Sequence, residues 1–341
     1  MAKRDDESDT WAALRATRSN PPAATATDSA RRATYVSALE QSEQLFTAAS
    51  VVGPATAPIL LYYGLSQAGR AIVAAASGVR EDWRLVGHGI NRGDLTLPLP
   101  SISVYTEGSK GSFVRLSTLL GSPIWDKKNA VELSALWDAL PQTMDWPLRE
   151  DSSRRTAQLL EYQTFDQPHP LMTVSLCYLP RRLASSMSLK ADLQTYLRSY
   201  PTIVDYSYLK VGDGLEDAPA VSLYEDGRGE IQLNLMADNG RSVSEAERRA
   251  LFERIATNHG TGYYDFYLVP AVGSNTQPMH PLMTWWAVLY TFSMLARYQP
   301  AEWANCIDVD RSTYAVPVER LLEDALAAVP RLIASTIRTV S

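Results

Sequence analysis

Two apolar stretches rich in tyrosine and tryptophan decide the fold of this chain: LLYYGLSQAGR at residues 60–70 and HPLMTWWAVLYTFSMLARYQPAEW at residues 280–303. In both stretches apolar residues recur every three or four positions, which is the spacing of one face of an α-helix. Both also carry an arginine, Arg70 or Arg297, that the packing of an apolar face does not require. We therefore predict that the two stretches are helices of one core that share a buried polar site.

Each arginine ends a second helical stripe of aromatic and polar side chains. The stripes consist of Tyr63, Gln67 and Arg70 in the first helix and of Trp286, Tyr290, Ser293 and Arg297 in the second. The first helix also contains Gly64 and Gly69, although glycine lowers helix propensity. We therefore expect a neighbouring helix to approach closely at these two positions.

A glycine-rich turn, VGHGINRGD at residues 86–94, follows the first helix and places His88 close to Asn91, Arg92 and Asp94. Histidine is the side chain best suited to move protons near neutral pH. A lone histidine in a loop also serves as a structural hydrogen-bonding group. The sequence leaves both roles open.

We predict that the two stripes and this turn converge on one site. Two guanidinium groups in a partly buried site need anions, because an unpaired buried charge is costly. These anions are either carboxylates of the protein, such as Asp94 and Glu302, or the phosphate group of a ligand. The sequence leaves both possibilities open. The candidates for catalysis are His88, Arg70 and Arg297, and the candidates for ligand binding are Tyr63, Gln67, Asn91, His280 and Tyr290.

The composition is that of a globular protein with one large domain or two smaller ones: 341 residues, 45% apolar and 21% charged. A formal charge of −6 disfavours a nucleic-acid partner unless a local basic patch binds it. The chain has neither an apolar run of about 18 residues nor a signal peptide, so we expect a cytoplasmic protein with no membrane partner. Two cysteines, Cys177 and Cys306, are typical of a reducing compartment and argue against a disulfide or a zinc site.

The sequence lacks the motifs of the common cofactor and nucleophile sites. It has no Gly-x4-Gly-Lys-Ser/Thr loop, no Gly-x-Gly-x-x-Gly turn, no Gly-x-Ser-x-Gly elbow and no His-Glu-x-x-His pair. The four histidines, His88, His169, His259 and His280, are scattered along the chain. We therefore expect no cofactor and no metal.

The order of the elements predicts an α+β protein. Residues 1–30 are polar and interrupted by prolines, which predicts a disordered tail, although Trp11 and Leu14 leave room for a short first helix. The remaining predicted divisions are an N-terminal helical half at 31–94, a sheet-containing middle region at 95–270 and a C-terminal helical half at 271–341. The N- and C-terminal helices then form one helical bundle, with a mainly antiparallel sheet region inserted between them.

The middle region has the alternating pattern of β-strands. Residues 101–105 and 112–116 predict a hairpin, and residues 172–178 predict a single strand. Residues 220–224 and 230–235 alternate on either side of a glycine-rich turn. These spacings favour antiparallel pairing over alternating strands and helices.

A helix predicted at 244–258 begins with the capping box Ser244-Glu-Ala-Glu247 and carries Arg254 and His259 in an Arg-x4-His spacing. The spacing resembles that of the HEPN class of helical nucleases, in which an arginine and a histidine flank the scissile phosphate. A cationic residue at the C-terminal end of a helix also favours the helix dipole, so a structural role for His259 stays open.

Several blocks of the sequence resemble the YaaC-like proteins of bacteria. These blocks are LYYGLSQ at 61–67, GHG at 87–89, HP at 280–281, LYTFSMLARY at 289–298 and Trp303. The resemblance concerns their order over most of residues 35–338, and it implies a cytoplasmic bacterial protein of unassigned activity. The tyrosine-rich first stretch also resembles, more loosely, a helix of HEPN-like bundles.

These observations predict a binding module, non-catalytic or weakly catalytic, that binds a protein partner or an anionic, phosphate-bearing small molecule around Arg70, His88 and Arg297. The alternative is a HEPN-like, metal-independent ribonuclease in a stress response or in phage defence. RNA is therefore a second candidate ligand. A homodimer is a candidate assembly, because helices that expose aromatic side chains tend to associate.

Overall fold

A computed structural model gives the structure of the protein and shows two compact units of the α+β class, as predicted. We call residues 1–151 together with 279–341 the helical unit, and residues 152–278 the sheet unit. The described residues are 2–341 without 81–82, 150, 152–153, 165–166, 187–188, 205–208, 212–220, 237–240, 261–264 and 276.

The chain passes from the helical unit to the sheet unit and back. Up to residue 151 the helical unit contains α1 (Ala2–Ser19), α2 (Ala23–Ala26), α3 (Ser29–Ala49), α4 (Ala57–Ala75), β1 (Asn91–Arg92), β2 (Ser103–Tyr105), α5 (Ser112–Leu119), β3 (Val131–Glu132) and α6 (Leu133–Asp138). The sheet unit contains β4 (Gln158–Tyr162), β5 (Leu171–Leu179), α7 (Arg181–Ala184), α8 (Leu189–Leu197), α9 (Pro201–Val204), β6 (Leu209–Val211), β7 (Val221–Leu223), β8 (Gly229–Met236), α10 (Glu245–Ile255), β9 (Thr257–Asn258) and β10 (Phe266–Leu268). The helical unit ends with α11 (Pro281–Tyr298), α12 (Pro300–Cys306) and α13 (Ala315–Val340).

Helix α4 lies in the core of the helical unit, where it packs against α3, α11 and α13. Between Leu61 and Ala76 every residue is buried except Tyr63, Gln67 and Arg70, which are half-buried. The predicted stripe is therefore the face along which this stretch of α4 reaches the surface.

Two glycines allow the close packing of α4, as predicted. A methyl group on Gly64 would lie 2.7 Å from the Phe46 ring of α3. One on Gly69 would lie 2.6 Å from the Trp286 ring of α11. Because the interior is close-packed, a larger side chain at either position would push two helices apart.

The N-terminal residues correct the prediction of a disordered tail at 1–30, because α1 and α2 form there. Trp11 and Leu14 are buried, and the Trp11 ring lies 5.6 Å from the ring of Phe46 in α3. Helix α1 also packs against α13. Two large apolar side chains on one face of α1 anchor a segment whose average composition is polar.

The boundary of the sheet-containing region lies at residue 151 instead of 94, because residues 95–151 belong to the helical unit. The hairpin predicted from 101–105 and 112–116 is wrong: β2 pairs with β1 and β3, and the second segment is helix α5. Phe113 and Leu116 of this helix are fully buried. Apolar residues spaced in this way over five positions do not distinguish a strand from a helix.

The described strands of the sheet unit form one antiparallel sheet in the order β6-β8-β5-β4-β10-β9, with β7 also paired to β8. Side chains of α8, α9 and α10 pack with β4, β5 and β8 in one apolar core. The strands predicted at 172–178 and 230–235 are confirmed as the neighbours β5 and β8. The capping box of α10 is confirmed as well, since the Glu247 carboxylate accepts a hydrogen bond from the Ser244 N–H at 2.8 Å.

Helix α13 is 26 residues long and runs through Pro330. Val329 and Ile333 beside the proline are fully buried. Their packing offsets the roughly 3 kcal/mol that a proline costs inside a helix. Among the described residues, no helix combines the length and the apolarity that crossing a membrane requires.

Candidate functional site

The loop that carries His88 is fixed against the N-terminal end of α5. Gly89 and Gly111 have positive φ angles of 72° and 107°. A methyl group on Gly111 would lie only 2.2 Å from the Cα atom of Gly89. The N–H of Phe113 donates to the carbonyl of His88 at 2.9 Å. The position of His88 therefore depends on a backbone contact that only glycines permit.

His88 forms a hydrogen-bonded pair with Tyr62 of α4. The Tyr62 hydroxyl lies 2.8 Å from Nδ1 of His88, and the phenol is completely buried. Burial raises the pKa of Tyr62, so the phenol stays protonated. With a neutral imidazole, the Tyr62 O–H donates to Nδ1, and the ring proton of His88 is then on Nε2. His88 itself is exposed, so its Nε2–H is available as a donor to a ligand.

Aromatic rings of α4 and α11 meet around Tyr62. Its ring centroid lies 5.3 Å from that of Tyr63, 5.5 Å from that of Tyr290 and 6.3 Å from that of Trp286. Tyr62, which makes these contacts, is a core residue outside the predicted stripe of α4, and Trp286 and Ser293 of the α11 stripe are fully buried. The stripe of α11 is thus part of the core and reaches the surface only at its C-terminal end.

Arg297, at this exposed end of α11, is held by two tyrosines. Its Nη1 donates to the Tyr63 hydroxyl at 2.7 Å, and its Nη2 donates to the Tyr298 hydroxyl at 3.2 Å. The guanidinium lies over both rings, 5.6 Å from the Tyr63 centroid and 4.9 Å from the Tyr298 centroid. These contacts orient the cation without neutralising its charge.

Arg70 is the second cation of the predicted site and is half-buried on α4. Its Nε atom is buried and has no hydrogen-bond partner among the described residues. Burial lowers the pKa of His88, and the charges of Arg297 and Arg70 lower it further. Both arginines therefore act on the same imidazole.

Arg92 is a third cation, which the sequence did not single out as a site residue. Strand β1 carries it, and its Nη1 donates to the carbonyl of Gly93 at 3.1 Å. Burial raises the pKa of Tyr290 to about 12, and the charges of Arg92 and Arg297 oppose this effect. We call Arg70, Arg92 and Arg297 the arginine cluster.

The two carboxylates considered as counter-ions do not pair with the arginine cluster. Asp94 is exposed, and its carboxylate accepts hydrogen bonds from Thr96 N at 2.9 Å and from Thr96 Oγ1 at 2.7 Å. These bonds lower the pKa of Asp94, and the charge of Arg92 lowers it further, although the two groups form no ion pair. Glu302 is also exposed. Over the described part of the chain, no ion pair joins the arginine cluster to a carboxylate.

Two further predicted residues lie beside the cluster. Asn91 is opposite Tyr105 in the β1–β2 pair and precedes Arg92. Gln67 is half-buried between Tyr63 and Arg70 on the stripe of α4. Neither side chain forms a hydrogen bond with another residue that the structure describes.

His280 is not brought to the cluster. Its Nδ1 accepts from the N–H of Leu282 at 3.2 Å and so caps the start of α11. Burial lowers its pKa to about 4. At about 1.5 Å of rise per residue, α11 separates His280 from Arg297 by about 25 Å. The structure gives His280 a capping role at the start of α11, away from the arginine cluster.

The Arg-x4-His spacing does not form an exposed pair in the sheet unit. Helix α10 ends at Ile255, so Arg254 and His259 do not share a helix. Arg254 is exposed, whereas His259 is 0% exposed and its ring stands edge-on to Tyr267 at 5.6 Å. A fully buried imidazole cannot reach the phosphodiester of an RNA strand.

The donors of the arginine cluster are suited to anions. Within the described segments, no group of three or more His, Cys, Asp or Glu side chains could hold a metal ion.

Sequence reasoning missed two residues of the site. Tyr62 was missed because its position in α4 is typical of core packing, and Arg92 was missed because a single arginine in a polar turn is common. Arg92 lies four residues after His88, which is the sequence signal that could have identified it, whereas Tyr62 is 26 positions away from His88.

Comparison with known families places the chain among the YaaC-like proteins. The family model described as YaaC-like Protein matches residues 7–337, which span both units. No curated protein and no solved structure matches the chain. The looser resemblance to HEPN-like bundles is not supported by these comparisons. The motif-level resemblance is confirmed, and the chain belongs to the YaaC-like protein family.

Proposed function

We propose that the protein binds a small phosphate-bearing anion at the arginine cluster, with His88 as a hydrogen-bond donor. The observation that supports this most is the grouping of three guanidiniums with no ion pair to a described carboxylate. Arg70 and Arg92 are half-buried, and a partly buried cation without an ion pair is costly, so a bound anion removes that cost.

The chemistry of the donors favours phosphate. A guanidinium presents its N–H groups in a planar fork that fits two phosphate oxygens at once. Tyr63 and Tyr298 hold the guanidinium of Arg297 in place, so less side-chain freedom is lost when an anion binds. His88 adds an Nε2–H donor beside these charges.

The local field also differs from that of the whole protein. The chain has a formal charge of −6, which repels a large polyanion at long range. The arginine cluster is positive only locally, and salt screens exposed charges over about 8 Å at physiological ionic strength. A small anion that reaches the cluster is therefore favoured over an extended polyanionic partner.

Calorimetric titration with pyrophosphate tests the proposal. We expect Arg70→Gln and Arg297→Gln each to weaken binding about 10- to 100-fold, because a hydrogen bond to a charged group contributes about 1.5–3 kcal/mol. Arg32→Gln is the matched control: it removes one positive charge from an exposed position of α3. The Arg32→Gln variant should bind pyrophosphate as tightly as the unchanged protein does.

Three outcomes would contradict the proposal. Pyrophosphate could fail to bind, or Arg32→Gln could weaken binding as much as Arg297→Gln, which would indicate a non-specific charge effect. A fall of many degrees in the melting temperature of Arg70→Gln would make that arginine a structural residue. Separately, cleavage of labelled RNA that is lost in a folded His88→Ala variant would favour the ribonuclease hypothesis.

A further inference from the structure

We infer that the phosphate-bearing anion is a nucleotide whose base stacks on Tyr298 beside the arginine cluster. This inference rests on the proposed anion-binding function. It adds the chemical class of the group that carries the phosphate.

Tyr298 exposes its ring at the surface, and the cation of Arg297 lies over that ring. It is the last residue of α11 and is 55% exposed. The guanidinium of Arg297 lies 4.9 Å from its ring centroid. More than half of the side chain nevertheless stays open to solvent, so the ring has room for a second planar group.

A nucleobase fits this arrangement. Any of the nucleobases can stack on a tyrosine ring, and removing such a ring typically weakens binding about 5- to 100-fold per base. An arginine over the same ring strengthens the stack through its cation–π interaction. The exposed apolar face of Tyr298 then becomes part of the ligand contact.

The stacking ring and the phosphate-binding cations surround the same core residue. Arg92, Arg297 and Tyr298 are all close enough to Tyr290 to affect its ionisation. Arg297 and Arg70 are likewise close enough to affect His88. The Arg297 guanidinium itself lies 4.9 Å from the Tyr298 ring centroid, so a ligand that stacks on the ring has a phosphate-binding cation next to it.

A mononucleotide fits better than a long strand. Proteins that bind single strands follow the backbone with a basic groove over about 4 to 16 nucleotides. This chain carries a net charge of −6, and the arginine cluster is a local group of cations without an ion pair to a described carboxylate. The charge of one phosphate group matches such a site.

The test compares three probes, AMP, ribose 5-phosphate and adenosine, by calorimetry on the full chain. We expect AMP to bind about 5- to 100-fold more tightly than ribose 5-phosphate. Tyr298→Ala should abolish the difference in affinity between AMP and ribose 5-phosphate, and both should bind less tightly because Arg297 loses one of its two tyrosine contacts. Tyr298→Phe keeps the ring and should keep the preference for AMP.

The outcomes separate this inference from the proposed function. If AMP and ribose 5-phosphate bind equally well, the base is not recognised and the nucleotide inference is overturned, while anion binding stands. If neither phosphate ester binds, both proposals fail. If a single-stranded RNA oligonucleotide binds but AMP does not, the ligand is a polynucleotide and the inference is overturned. A preference for AMP that survives in Tyr298→Ala would also overturn it.

Discussion

Tyr62 and His88 show how burial sets the chemistry of a single pair of side chains. The phenol is fully buried and keeps its proton, so it donates to Nδ1 of the exposed imidazole at 2.8 Å. Burial and two nearby guanidiniums lower the pKa of His88, which is therefore neutral at pH 7. A bound anion compensates those charges and favours the protonated imidazole.

We predict that anion binding is coupled to proton uptake by His88. The pKa of His88 lies below 6.5 in the free protein and rises when an anion binds, so affinity increases as the pH falls from 8 towards the free pKa. Sulfate is a suitable probe because it stays a dianion over this range. Calorimetry in two buffers of different ionisation enthalpy measures the proton uptake.

The control for this prediction is His88→Asn, which keeps a hydrogen-bonding side chain but removes the titrating group. Its sulfate affinity should vary less with pH, and its proton uptake should disappear. Equal proton uptake in the variant and in the unchanged protein would assign the proton to another group.

At the residue scale, the sequence identified side chains that lie on a long periodic stripe. Arg70 and Arg297 stood out because amphipathic packing does not require them, and both act on His88. The contact between Tyr62 and His88 could not be predicted, because it joins residues 26 positions apart through a loop of unknown shape. The capping bond of His280 could not be predicted, because a helix-capping histidine and a ligand-binding histidine look alike in sequence.

At the element scale, prediction succeeded where a pattern persisted over several turns. Helices α4 and α11 are 19 and 18 residues long, so their apolar period is unambiguous. Helix α5 has only 8 residues, and its pattern fits a strand equally well. The polar composition of α1 predicts disorder, because only Trp11 and Leu14 indicate the face of the helix that packs on the core.

The junction between the His88 loop and α5 leads to a second prediction. We expect Gly111→Ala to destabilise the helical unit by about 3 kcal/mol or more. The new methyl group would lie 2.2 Å from the backbone of Gly89, and the φ angle of 107° is unfavourable for alanine. Urea unfolding followed by circular dichroism measures the loss.

Gly108→Ala is the matched control for this junction. Gly108 also has a positive φ, 68°, but a methyl group there meets nothing within 4 Å. Its cost should be only the conformational strain of about 1–2 kcal/mol. Equal losses in the two variants would show that the contact with Gly89 does not fix the loop.

At the scale of the whole molecule, the chain divides into two compact units. The sequence predicted the class and the joining of N- and C-terminal helices, and α4 does pack on α11 and α13. It placed the boundary at residue 94 because residues 101–105 and 112–116 have the pattern of a hairpin, although the second segment is helix α5. Among the described residues, β1, β2 and β3 have 2 or 3 residues each and form a small sheet of their own, which local pattern cannot reveal.

The apolar core of the sheet unit leads to the last prediction. We expect residues 152–278, expressed alone, to unfold cooperatively, because their helices and strands share one core. Leu233→Ala, at a fully buried position of β8, should lower the free energy of unfolding by about 2–5 kcal/mol. Leu223→Ala is the control, because Leu223 is 62% exposed and its loss should cost less than about 0.5 kcal/mol. A fragment without a cooperative urea transition would mean that this core cannot form without the helical unit.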